Sequence, residues 1–368
     1  MPTPSRITFL AAALPTFLAA QSFVVAPAAY ATTDAMSYEW IAGATDPARQ
    51  QTLIGESHLL AMLGRDILAI ELRRTAVDEA YLAGAMNFTV TLSISPNTPL
   101  RCSNVYAHNV GTNPAPVQVF SGTVNLPASP AVTGGVGSTV QWTANNTLRI
   151  AFTQPFHYAG GTLCIDITGQ PIPGQKAWWM ADAIEEVIPG SAIVELGPGC
   201  GPFGGPQRQW SRVSRRSLIP GGSAIFRAEG DTGDLAIAVF GAEARAPAFP
   251  QYPLLSQWGV PTPGCVSYVS PLGILAMVPA TMTAESGGSY ITAMAEVLVD
   301  LPPSSAWSGF ELTTQWFNLN DLASSNGFRW TVGSAPSTLD MALCEGDSTL
   351  STGRVTTYLA HVWRFEYL

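Results

Sequence analysis

The chain has 368 residues, of which 47% are hydrophobic and only 12% charged, with a formal net charge of −9. That balance argues against a disordered tract, because the apolar fraction is enough to bury cores, and against a protein held on nucleic acid by phosphate attraction. Glycine and proline, 34 and 29 residues, are abundant enough to disfavour a helical protein.

The N-terminus, MPTPSRITFLAAALPTFLAAQSFVVAPAAYATT, reads as a secretory signal peptide: Arg6 and the amine precede an apolar run that begins at Ile7. Ala29-Tyr30-Ala31 puts small residues at the −3 and −1 positions, so residues 1–31 are expected to be removed, with cleavage after Ala20 as the second choice. Pro15, Gln21-Ser22 and Pro27 interrupt the run and argue against an anchor helix. The rest exceeds the usual size of one core, and a division into residues 32–190 and 191–368 is expected, at Pro189 to Ser191.

Strand periodicity then dominates. Phe88, Val90, Leu92 and Ile94 alternate with Thr89, Thr91 and Ser93, and the same period recurs at Leu148, Ile150, Phe152 and at Leu163, Ile165, Ile167. Turn-rich pieces such as SPNTP, LPASP and HYAGG separate them, and a short helical piece is expected near Ser57 to Gly64. In the second half the expected strands are Ala192 to Leu196, Ala224 to Ala228, Leu235 to Phe240, Leu272 to Val278, Tyr290 to Val299, Phe310 to Leu319, Phe328 to Val332 and Thr356 to Phe365. The expected fold is therefore all-β, two tandem antiparallel β-sandwich domains of jelly-roll type. An outer-membrane barrel is disfavoured because Pro-rich loops break most segments before the roughly ten residues that each spanning strand needs.

Five cysteines, Cys102, Cys164, Cys200, Cys265 and Cys344, lack C-x-x-C spacing, so disulfides in an oxidising compartment are expected rather than a metal site. Cys102 with Cys164 makes one bridge possible. Cys200 with Cys265 is the expected second bridge, against the alternatives of either with Cys344, which is the preferred odd thiol. His58, His108, His157 and His361 show no metal-binding spacing, and Gly55-Glu-Ser-His58 lacks the second glycine of a nucleophile elbow. No bound metal or cofactor is expected. The acidic clusters are Glu185-Glu186, Glu229 with Asp231 and Asp234, and Glu345 with Asp347; the second departs from a calcium loop and reads as a solvated turn. Arg208, Arg212, Arg215 and Arg216 read as a solvated face. Of ten tryptophans, adjacent Trp178 and Trp179 are the candidate ligand-binding pair, since neighbouring strand residues face opposite ways and one ring is then free to stack on a sugar.

The segments RQQTLIGESHLL (from Arg49), ILAIELRR (from Ile67), NFTVTLSISP (from Asn87), PFHYAGGTLCIDI (from Pro155), GPGCG, GVPTPGC and SSNGFRWTVG (from Ser324) together resemble secreted bacterial proteins that occur as large paralogous sets. The resemblance implies exported β-sandwich modules and brings no catalytic residues with it; the GPFGGPQRQW piece after Cys200 departs from the usual pattern. The expected function is a non-enzymatic secreted, periplasmic or cell-surface protein with a structural, matrix or adhesion role. Its expected partners are extracellular glycans or surface-layer proteins, with no nucleic acid and no integral membrane span after signal removal. The alternatives are a carbohydrate-binding protein using exposed tryptophan and a secreted polysaccharide hydrolase or lyase.

Overall fold

The structure is a computed structural model that describes residues 21–35, 39–135, 137–175, 177–184, 190–200, 211–213, 218–244, 266–284, 293–334 and 338–368. It is almost all β and antiparallel, as the alternation predicts. One six-stranded sheet runs in the order Arg354–Thr356, Met341–Asp347, Ala48–Ile54, Leu163–Pro171, Gly84–Ile94, Val117–Leu126. A four-stranded sheet, Ser22–Ala26, Trp363–Tyr367, Arg65–Arg73, Thr147–Tyr158, faces it. Alternate residues of both sheets meet in one core: Ile54, Val90, Leu92, Ile165 and Met341 from the first, Ile70, Leu148, Ile150, Trp363 and Phe365 from the second.

A second pair of sheets repeats the architecture. Ala192–Gly197, Gly327–Thr331, Glu311–Asn318, Leu235–Glu243 and Val269–Thr281 form one, with Ala323–Ser324 beside Glu311–Asn318. Ser211–Val213, Ser223–Gly230, Ala293–Asp300 and Thr283–Ala284 form the other. The core between them sets Phe226, Phe240, Trp316 and Trp330 among alanines, and Phe226 meets Phe240 edge-on at 5.0 Å.

Two boundaries differ from the sequence reading. The chain does not divide linearly at residue 190. Met341–Asp347 pairs with Ala48–Ile54, and Trp363–Tyr367 pairs with Arg65–Arg73, so the last strands complete the first sandwich and the second is inserted between its parts. Nor does the folded body start at Thr32. Ser22–Ala26 pairs along its length with Trp363–Tyr367 and Ala26 is fully buried, so residues read as the end of a signal peptide form an edge strand. The expected helical piece near Ser57 is a pair of 3-10 turns, Glu56–His58 and Leu60–Met62. No helix among the described residues is long and apolar enough to cross a membrane.

Candidate functional site

Between the sandwiches lies a cleft of about 930 Å³. One wall is the segment from Trp40 to Gln50 with Glu345, Asp347 and Arg354 of the first sandwich; Thr281, Thr283, Met294 and Glu296 of the second form the other. The Trp40 segment can lie against the sheet because Gly43, at φ +80°, and Gly169 meet back to back: a Cβ on Gly43 would stand 2.4 Å from the Gly169 carbonyl carbon. Glu39–Trp40 pairs with Trp179–Met180, and the Trp40 and Trp179 rings stack with centroids 3.8 Å apart.

The charged lining is mainly acidic: Asp46, Glu296, Glu345 and Asp347 against Arg49 and Arg354. Arg49 is already held by Asp166 through two parallel hydrogen bonds, 3.0 Å from Nε and 2.6 Å from Nη2, and that pairing raises its pKa further. Glu296 accepts from Arg227 Nε. Gln50 Nε2 donates to Glu345 at 3.4 Å and to the Trp40 carbonyl at 3.3 Å, linking the Trp40 segment to the acidic strand within one wall. Asp347 accepts the Thr349 N–H and hydroxyl, each at 2.7 Å, and these bonds hold its carboxyl below the usual range. A cleft with this lining repels anions and offers acceptors and an aromatic surface to hydroxyl-rich ligands.

The residues singled out in the sequence fall in several places. Trp178 is fully buried in the first core beside Tyr81, so it offers no face to a sugar. Trp179 is half-buried and reaches the cleft only through its stacking on Trp40, the aromatic that sequence reasoning missed. Trp40 lies in a two-residue strand, too short for periodicity to mark it. Glu185, Glu186 and Cys265 lie outside the described residues. Cys200 packs with Val239, Val269 and Phe317 on the outer face of the second sandwich, its Sγ 3.1 Å from Ser324 Oγ. Cys102 and Cys164 are not linked in the structure. Both are buried free thiols, as is Cys344, and Cys164 sits on a strand where its thiol meets Ser93.

The histidines are engaged away from the cleft. His58 Nε2 donates to the Leu339 carbonyl at 2.7 Å, His108 Nδ1 lies 3.4 Å from Ser103 Oγ, and His157 and His361 meet Asp66 and Asp182 at 2.9 and 3.0 Å. Ser57 Oγ donates to Asp340 at 2.7 Å, so the GESH turn ties two loops together. Asp231 and Asp234 do converge, not with Glu229 but with Asp321, their carboxylate oxygens within 4.8 Å of one another. Asn318 Nδ2 bridges Asp234 and Asp321 at 2.6 and 3.0 Å.

Comparison with protein-family models, with curated proteins and with solved structures found no match.

Proposed function

We propose that the chain is an exported, non-enzymatic surface or matrix protein that adheres by holding an extracellular glycan in the cleft between its sandwiches. The observation that carries this reading is the joint lining of the cleft by Trp40 and by the acidic residues Asp46, Glu345 and Asp347. Carboxylates accept paired hydrogen bonds from vicinal hydroxyls, and an indole face packs against the C–H face of a pyranose. The stacking of Trp40 on Trp179 supplies rigidity, which lowers the entropy lost on binding. Export is supported by the N-terminal charge and apolar pattern, and by the resemblance to secreted modules.

Screening the full chain on a glycan array, followed by titration of the hits, tests this. Saturable binding weakened roughly tenfold or more by Trp40→Ala, a loss of about 1.4 kcal/mol, is the expected result, with unchanged circular dichroism as the control. Binding indifferent to both Trp40→Ala and Glu345→Gln removes the cleft from the account. Release of reducing ends that Glu345→Gln abolishes would replace adhesion by hydrolysis.

A further inference from the structure

Cys102 and Cys344 are far apart in sequence, yet both are buried in one small cluster with Leu53, Tyr106, Ala342 and the third free cysteine, Cys164, on the outer face of the six-stranded sheet. Cys344 lies on Met341–Asp347, and Cys102 follows the 3-10 turn Pro99–Arg101 at the start of the segment that covers this face. Backbone bonds hold that segment in place: Gly353 N–H donates to the Asn104 carbonyl at 2.8 Å, Tyr106 N–H to the Ser351 carbonyl at 3.1 Å, and Val105 bridges Thr352. The Cys102 thiol neighbours the Cys344 thiol, and Cys344 Sγ also lies 3.9 Å from the Asn104 carbonyl. We propose that Cys102 and Cys344 form a disulfide that staples the covering segment to the returning C-terminal strand, leaving Cys164 as the odd thiol.

Sheet register rules out the competitor Cys164–Cys344. Cys344 stands opposite Gln51, Gln51 opposite Asp166, and Cys164 lies two residues along from Asp166. Two interstrand steps across and two residues along separate the Cα atoms by about 12 Å, well beyond the ~7 Å limit for a disulfide. The neighbouring Cys344 thiol and burial hold the Cys102 thiol well above its ordinary range, which suppresses the attacking thiolate once the chain is folded. The bond therefore forms while the chain folds. One cysteine, as thiolate, attacks a low-molecular-weight or protein disulfide and expels one thiol; the second attacks the mixed disulfide and expels the other. Two electrons and two protons pass to that oxidising disulfide, which leaves as two thiols. In the cell this rests on the export reading, because a reducing compartment would keep both thiols.

Refolding the denatured, reduced full chain in a glutathione and glutathione-disulfide buffer, then alkylating and mapping peptides without reduction, tests the pairing apart from export. The expected map links the Cys102 and Cys344 peptides and finds Cys164 alkylated; Cys164→Ser retains the link, and the oxidised chain melts higher than the same chain after reduction. Alkylation of both Cys102 and Cys344, or a link from Cys164 to either, overturns the proposal. A bond that forms on refolding but is missing from protein recovered from the producing cell upholds the pairing and removes export. The same map reads the Cys200–Cys265 bridge expected from sequence.

Discussion

Arg73 is fully buried, yet its guanidinium donates to the carbonyls of Thr32 at 3.2 Å, Val140 at 3.0 Å and Tyr30 at 3.2 Å, and also to Thr33. Burial pushes its pKa down to about 10, and Asp34 nearby opposes that shift. Beside it, Asp34 accepts the Ala76 and Asp182 N–H groups, each at 2.8 Å, so the polar interior is organised around backbone groups that lack a ladder partner. Asp321 is another acid whose pKa is raised, by burial and by the charges of Asp234 and Asp231. Such a carboxyl binds its proton more tightly folded than unfolded. Its cost to stability is complete above the raised pKa and disappears as pH falls through that value. Asp321→Asn keeps an acceptor for Asn318 and removes one charge, so it is expected to stabilise the chain at neutral pH by about 0.2–1 kcal/mol, the screened scale of exposed charges. Urea melts check this: the gain should vanish at acid pH, and a variant less stable than wild type at neutral pH would show that the carboxylate is needed.

At the scale of elements, the N-terminal strand carries the clearest consequence. Residues after Ala26 remain tied into the fold: Tyr30 donates its hydroxyl to the Ile184 carbonyl at 2.8 Å and Trp142 Nε1 donates to the Ala31 carbonyl at 2.6 Å. Cleavage after Ala31 would strip the edge of the four-stranded sheet and take a carbonyl from Arg73. Cleavage after Ala20 leaves both. Under the export proposed above, the mature chain is expected to begin at Gln21, read by N-terminal sequencing, and a chain made to begin at Thr32 should lose more than about 2 kcal/mol, since it exposes Ala26 contacts and leaves buried donors short of a partner. Thr32 as the first residue of a fully stable secreted protein would overturn the assignment.

For the whole molecule, insertion of one sandwich within the other joins their stabilities unequally. Arg101 Nε donates to the Gly221 carbonyl at 3.2 Å, and Ile225 packs against the cluster that holds Cys102 and Cys344, so the sandwiches touch where the covering segment lies. Every strand after Met341 belongs to the first sandwich, and both of its sheets need them. Truncation after Asp340 should therefore abolish hydrogen-exchange protection in Ala48–Ile54 and Arg65–Arg73 while Glu311–Asn318 stays protected. Equal loss in both regions would mean that the second sandwich cannot stand without the first.

Local pattern determined the β class. Leu163–Pro171 and Gly84–Ile94 alternate because one face of each meets the core, and that periodicity is written in adjacent residues. It did not mark Ala48–Ile54, whose Gln50 and Gln51 are buried among strands on both sides, their amide nitrogens donating to the Trp40 and Tyr106 carbonyls and to Asp166. The apolar run Phe23-Val24-Val25-Ala26 suits an export signal and an edge strand equally; only its pairing with Trp363–Tyr367 separates the two. Trp178 and Trp179 could be read as one buried and one freer ring from their adjacency, whereas the meeting of Trp40 with Trp179 and of Cys102 with Cys344 depends on strands distant in the chain. Composition and period report each residue's preference for water or core. Which distant strands pair is decided by the packing of all of them at once, and the cleft, the thiol pair and the returning C-terminus arise at that level.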